Sequence, residues 1–264
     1  MTAEIVERVR RSSRYRSVDA ALVARLAAEE LPKARNADDA VKRVKRRLHQ
    51  AVGAFRRGPG AAAGTAAWPV DDPVALRAAC RAAMRGHAST RERLPHLAAF
   101  YRGIWEITGR PGRLVDLGCG LNPLALPWMH LGDATYAAID VDAGTLEIVR
   151  GFLEAVGQPH VTEVRDLVED ATLPEADVAL MLKLVTTLDR QDRDAARRLL
   201  ERLPARHAVV SFAARSLGGR GSHERTYRDR LDRLVAESER VQAVAEASVP
   251  NELVFVLALD PPRG

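Results

Sequence analysis

Leu114-Val-Asp-Leu-Gly-Cys-Gly120 is an apolar run that carries one acid and ends on two glycines. A strand feeding such a turn brings Asp116 to its carboxyl end. Gly118 and Gly120 then let a ligand approach the backbone with no Cβ in the way. Twenty-four residues after Asp116, Asp140 closes the next apolar run, Ala138-Ile-Asp140, where a carboxylate can accept both hydroxyls of a ribose. A dinucleotide fingerprint needs a third glycine so that a diphosphate can rest on a helix N-terminus. Gly118-Cys-Gly-Leu-Asn-Pro123 has a proline there, which disfavours a nucleotide-linked oxidoreductase. S-adenosyl-L-methionine carries no phosphate and needs no such seat. Asp166, in Val164-Arg-Asp-Leu167, follows a third run and can meet an adenine amino group while Leu167 packs on the ring. Leu182 and Lys183 end a fourth run at the same sheet edge.

These residues need a parallel sheet to hold them. From Arg113 onward, short β-like runs alternate with helical ones. Strands are predicted at 113–117, 134–140, 160–165, 177–183 and 206–212, and helices from about 124, at 143–156 and at 190–202. That alternation marks an α/β fold with helices on both faces. Two last runs, 241–247 and 252–259, flank a short turn and read as an antiparallel hairpin at the sheet edge. The expected fold is a class I methyltransferase, Rossmann-like, with a mostly parallel seven-stranded sheet and a terminal hairpin. An all-helical lobe over 1–108 precedes the catalytic domain at 109–264.

Within the lobe, Asp19 can cap a helix carrying Leu22, Leu26 and Ala27. Asp38 precedes Val41, Val44, Leu48, Val52 and Phe55, a helical apolar stripe. Lys42, Arg43, Lys45, Arg46 and Arg47 lie opposite it, and such a dense cationic row calls for a counter-charge such as phosphate. Residues 57–71 read as a Gly/Ala/Pro-rich loop, followed by helices at 72–85 and 90–108. Charge follows the same division. Residues 1–111 hold 22 Lys/Arg against 11 Asp/Glu, and residues 112–264 hold 18 against 24, so +11 and −6 make up the chain's +5. A basic front end of this size points to a polyanionic partner. Cys80 and Cys119 lack paired spacing, and the seven histidines lack metal-ligand spacing, so neither disulfide nor metal is expected. The first eleven residues have no signal-like apolar centre, and no run approaches a membrane span. A cytoplasmic monomer with no membrane association is the expectation.

Several longer motifs carry a resemblance. They are Ser13-Arg-Tyr-Arg16, Ala40-Val-Lys-Arg-Val-Lys-Arg-Arg-Leu-His49, Gly53-Ala-Phe55 and His87-Ala-Ser-Thr-Arg-Glu-Arg-Leu-Pro-His-Leu97, with Asp116–Ala125, Arg215-Ser-Leu-Gly-Gly-Arg-Gly221 and Asn251-Glu-Leu253. From about Ser13 to Val256 the chain resembles the aminoglycoside-resistance 16S ribosomal RNA methyltransferases that modify N7 of guanine 1405. The resemblance implies that Arg93 grips the cofactor's methionine carboxylate, with His87, Ala88 and Ser89 nearby. It implies ribose recognition by Asp140, adenine contacts from Asp166 and Leu167, and cofactor or target contacts from Lys183 and Gln191. It also implies that the basic helices dock on the 30S subunit and that Arg215 and Arg220 lie near the target base. The partner is then 16S rRNA, and the outcome is resistance to kanamycin and gentamicin. The chain departs from its relatives at 184–187, 212–214 and 222–224, around the target pocket.

Guanine N7 has an in-plane lone pair and no proton, so its methylation requires placement more than acid–base chemistry, and no catalytic acid or base is nominated. Two alternatives stay open on sequence. One is a methyltransferase for another RNA position or for a small molecule. The other is an RNA-binding relative with little turnover.

Overall fold

The computed structural model describes residues 1–53, 67–169, 172–213, 224–250 and 252–262. Three helices open the chain: α1 (Thr2–Arg10), α2 (Ala20–Glu30) and α3 (Ala37–Leu48), the last running into a π-helical turn at His49–Gly53. Asp19 caps α2 by accepting from the Ala21 N–H. Asn36 caps α3 by accepting from the Asp39 N–H. Asp38 lies in the first turn, where its carboxylate meets the positive end of the helix dipole. Ile5, Val9, Leu22, Leu26, Val44 and Leu48 close these helices around a core of their own.

Next come α4 (Pro73–Met84), the short α5 (Ala88–Arg91) and α6 (Leu97–Thr108). The single helix expected over 90–108 is divided, because Pro95 cannot donate to the ladder and a 3-10 turn, Leu94–His96, takes its place. These helices pack on the sheet rather than on α1–α3: Met84, Phe100, Tyr101 and Ile104 share one core with Leu114, Tyr136 and Val178.

The strands are β1 (Arg113–Leu117), β2 (Thr135–Asp140), β3 (His160–Val164), β4 (Ala176–Leu182), β5 (Ala205–Ala213), β6 (Val241–Ala247) and β7 (Glu252–Leu259). Their order is β3-β2-β1-β4-β5-β7-β6, and β7 runs antiparallel between β5 and β6. The terminal hairpin is thus present, with its second strand inserted into the sheet. Alternation decides the two faces. Leu114 and Tyr136 look toward α4–α6, α7 (Leu126–Met129) and α8 (Ala143–Ala155), while Val115 and Ala137 look the other way. There they meet α9 (Val185–Asp189), α10 (Ala195–Arg202) and α11 (Glu224–Ala236). The helix expected over 190–202 is α10, which starts only at Ala195, and the short α9 before it has no counterpart among the expected helices. No helix among the described residues is long and apolar enough to cross a membrane.

Arg240 shows how the far end of this sheet is closed. It is 2% exposed and donates to the carbonyls of Leu200, Leu203 and Asp260, with a longer bond to Glu201. Leu200 and Glu201 lie in the last turn of α10 and Leu203 at its exit, while Asp260 follows β7, so one guanidinium ties the helix end to the sheet edge. Arg240→Ala should therefore cost about 3 kcal/mol of stability. Denaturant unfolding measures it, and a loss below about 1 kcal/mol would show that water replaces the guanidinium.

Candidate active site

Strand order reverses between β1 and β4, and ligands of open α/β sheets bind in the crevice at that reversal. A cleft of about 780 Å³, its open mouth included, lies there. Gly118 and Gly120 floor it with φ of +63° and +50°. A Cβ on Gly118 would stand 2.9 Å from Leu184, and one on Gly120 would stand 2.8 Å from the His87 ring. Only glycine meets both demands, of space and of backbone conformation.

Asp140, at the end of β2, is buried in the wall. Its two oxygens accept from the N–H groups of Gly120 (2.8 Å) and Asp142 (2.9 Å). A carboxylate has about four acceptor sites, so a pair of ligand hydroxyls can still be received. Burial pushes this carboxyl up to about 6, against the backbone N–H groups of Gly120, Asp142 and Val141, which favour the ionised form. Asp166 lines the cleft beyond β3, with Leu167 beside it. Its oxygens accept from Arg25 Nε at 2.8 Å and from the Val168 N–H. Gln191 also lines the cleft, its amide oxygen held by Arg25 at 2.8 Å.

Leu182 and Lys183 close the opposite side. Lys183 has φ +58°, an uncommon conformation for a residue with a Cβ and costly by about 1–2 kcal/mol. What holds it is evident. Its N–H bonds the Ser211 carbonyl, and its ammonium reaches Glu92 (2.7 Å), the Ser89 carbonyl (3.1 Å) and Glu252 (3.2 Å). His87, which precedes α5, and Ser89 in it sit at the rim, linked Nδ1 to Oγ at 2.9 Å. Ala88 lies between them in the chain.

Two expected cofactor residues stand behind the wall instead. Arg93 does not line the cleft: its guanidinium binds both Glu252 oxygens, at 2.8 and 3.1 Å, and Asn122 Oδ1 at 2.8 Å. The reason is electrostatic. Burial alone would raise the Glu252 carboxyl, but Arg93 and Lys183 hold it below the usual range, so it remains an anion that needs its cations. Asp116 likewise faces inward, accepting from Asn122 Nδ2 (2.8 Å) and the Tyr136 hydroxyl (2.7 Å). Burial pushes it up to about 6, against those two bonds. Asn122 thus joins the β1 turn to Arg93, and it fixes the loop that the two glycines shape. Cys119 is inert: burial pushes its thiol well above the ordinary value, and no thiolate is available at neutral pH.

The cationic row divides by helix geometry. Arg43 and Arg47 point to α2 and bind buried Glu30 at 2.9 Å each. Arg47 also reaches Glu29 and the Gln191 carbonyl. Their counter-charge is carboxylate, not phosphate. Lys42 and Arg46 are exposed and Lys45 half-buried. Arg215, Arg220 and the 222–223 departure lie outside the described residues, as does Phe55 of the apolar stripe.

Sequence reading missed Arg25, Asn122 and Glu252. Arg25 sits in an ordinary amphipathic helix and gives no local signal. Asn122 and Glu252 fall within recognisable motifs, but their partners do not follow from spacing.

Comparison with known proteins agrees with this architecture. The ribosomal RNA methyltransferase (FmrO) family matches residues 11–256. A 16S rRNA (guanine(1405)-N(7))-methyltransferase of Micromonospora echinospora is 40% identical, over 96% of this chain and 95% of the relative. One of the same name from Frankia casuarinae is 40% identical over 95% and 91%. The crystal structure of the 16S rRNA methyltransferase RmtF in complex with S-adenosyl-L-homocysteine superposes with a TM-score of 0.83, at 30% identity, covering 98% of each chain. The 16S rRNA methylase RmtB shares the fold, with a TM-score of 0.82 over 98% of this chain and 99% of its own. A match over nearly the whole chain, carried through the β1 turn, the acid ending β2 and the inserted terminal hairpin, places this protein in the FmrO family of ribosomal RNA methyltransferases.

Proposed function

We propose that this enzyme transfers the methyl group of S-adenosyl-L-methionine to N7 of guanine 1405 in the 16S rRNA of the 30S subunit, and thereby confers resistance to kanamycin and gentamicin. It does so as a cytoplasmic monomer without a metal. The observation that carries the reading is the buried Asp140 carboxylate, which keeps acceptor capacity beside two glycines at the sheet's switch point. The names of the full-length relatives support the target.

The cleft fits the cofactor. Asp140 would receive the ribose hydroxyls, Asp166 the adenine amino group, and Leu167, Leu188 and Val52 the ring faces, with His87 and Ser89 at the methionine end. When bound, the cofactor supplies an electrophilic methyl group on a sulfonium. The chain's residues orient and exclude water, an advantage of about 7–11 kcal/mol where reacting atoms are well aligned. No side chain needs to remove a proton, because N7 bears none. Lys183 is balanced by Glu92 and Glu252, so its ammonium does not repel the positive charge that methylation leaves on the base. The basic face of the helical lobe, residues 1–108, then anchors the RNA. Exposed Lys42 and Arg46, with Lys45, take phosphates, and Arg215 and Arg220 join them near the target on the ground of the sequence motif. Anchoring of this kind offsets a cost of a few kcal/mol for unstacking the guanine.

The test is methylation of purified small subunits with methyl-labelled cofactor, followed by cleavage at 7-methylguanine and primer extension. Label at guanine 1405 is expected. Label elsewhere, or none, overturns the reading.

Affinity should also depend on pH through Asp140. Two ligand hydroxyls are received best by the ionised carboxylate, because protonation turns one acceptor site into a donor, and in the free site burial pushes that group up to about 6. Bound ligand lowers this value. Affinity is therefore full above neutrality and falls as pH drops through 6, approaching tenfold per unit. Calorimetry with S-adenosyl-L-homocysteine between pH 5 and 8 measures it, and a flat profile would remove Asp140 from the ribose site.

A further inference from the structure

The helical lobe does more than carry charge, for it also builds and fastens one end of the cleft. Ala51 and Val52, just past α3, form part of the wall. The segment entering α2 pairs with the loop after Asp140: the Asp19 N–H donates to the Val141 carbonyl, and the Ala143 N–H donates to the Ser17 carbonyl. The strongest tie is Arg25, whose side chain is 14% exposed. Its planar guanidinium divides three ways at 2.8 Å, to Asp166 through Nε, to Gln191 Oε1 through one terminal nitrogen, and to Glu29 through the other. Asp166 and Gln191 both line the cleft. Glu29 passes the connection to Arg47, on the helix that bears Lys42 and Arg46.

We infer that Arg25 is a positioning residue that couples cofactor binding to RNA binding by fixing Asp166 and Gln191 at the adenine end while holding the basic lobe in place. The inference rests on the proposed reading of the cleft and of the lobe's basic face. Its physical basis is a shared arrangement. A ligand that needs Asp166 and Gln191 in register favours the seated lobe, and RNA that grips the seated lobe favours the same register. By linkage, cofactor and RNA must then raise each other's affinity by one common factor. Lysine does not reproduce the effect, since its compact ammonium lacks the planar fork whose separate nitrogens meet Asp166, Gln191 and Glu29 at once.

The experiment measures dissociation constants of S-adenosyl-L-homocysteine with and without saturating small subunits, and of small subunits with and without S-adenosyl-L-homocysteine. It uses the wild type, Arg25→Ala and Arg25→Lys, with melting of each variant as a fold control. The wild type should show a common coupling factor of about 5–20, at the lower end of known couplings. Both variants should bind S-adenosyl-L-homocysteine about 5–10-fold more weakly, a loss in the range of one ordinary hydrogen bond. Their coupling factor should fall toward one, so subunit affinity should fall more with cofactor than without it, because Arg25 itself faces the cleft side and not the exposed row. Variants that keep the full coupling factor overturn the inference. So does equal loss of subunit affinity with and without cofactor, which would mark a general structural or direct RNA role. A wild type that binds both partners without coupling sinks the inference and leaves the proposed function standing. A folded wild type that binds no S-adenosyl-L-homocysteine sinks both.

Discussion

Asp140→Ala is expected to weaken S-adenosyl-L-methionine binding by about a thousandfold with little change in small-subunit binding. Two hydroxyls on a buried carboxylate make two charge-assisted bonds, each worth about 1.5–3 kcal/mol, and a total near 4 kcal/mol corresponds to three decades. Alanine also orphans the N–H groups of Gly120 and Asp142, which now close on Asp140, and so the glycine turn loses its shape as well as its acceptor. Asparagine is no rescue. Each Asp140 oxygen faces an N–H donor, so the amide nitrogen must oppose one of them whichever way the group is turned. Asp140→Asn should therefore bind almost as poorly as the alanine variant and show no pH dependence near 6. Folding should suffer less than binding, because either change removes a buried carboxyl that burial makes reluctant to ionise. Calorimetry gives the affinity and melting gives the fold. A folded Asp140→Ala that binds within tenfold of the wild type would mean that the ribose is recognised elsewhere.

The site was legible where its chemistry is local in the chain. Gly118, Gly120 and Asp140 follow from a strand, a turn and the next strand, and β1, β6 and β7 occupy the residues that alternation assigns them. The boundary at Pro95 was blurred because Leu94, Leu97, Tyr101 and Ile104 keep a helical apolar period across a backbone that cannot be continuous there. Side-chain partnerships were hidden for a different reason. Arg25 meets Asp166 and Gln191 across separations of 141 and 166 residues, and Arg93 meets Glu252 across 159. Nothing in local spacing encodes such pairs. The row on α3 illustrates both limits at once. Lys42 and Arg46 are four apart and share one face, and Arg43 and Arg47 are four apart and share the next. Sequence shows two stripes of equal charge, and only Glu30, brought in by α2, makes one of them structural.

Arg93→Ala is expected to lower stability by about 3–5 kcal/mol, since it leaves a buried anion without its main partner. For a chain of this length that amounts to a fall in Tm of about 10 °C. The pair is almost sealed from water, with side chains 2% and 1% exposed, and the guanidinium also lies 4.1 Å from the centre of the Phe100 ring. Glu252→Ala should cost a similar amount, because it strands Arg93 and removes one of the groups that hold Lys183 in its left-handed conformation. The double variant should fall well short of the sum, since each single change includes the penalty of an unpaired buried charge and the double change does not. A direct grip on the cofactor's carboxylate makes the opposite demands: Arg93→Ala would melt near the wild-type temperature and lose only cofactor affinity, and Glu252→Ala would free the arginine and tighten binding. The geometry favours the first pattern. Thermal melts of the two single variants and the double, each with and without S-adenosyl-L-homocysteine, decide between them. If Arg93→Ala melts within about 2 °C of the wild type, the buried pair is not what holds the β1 turn against β7.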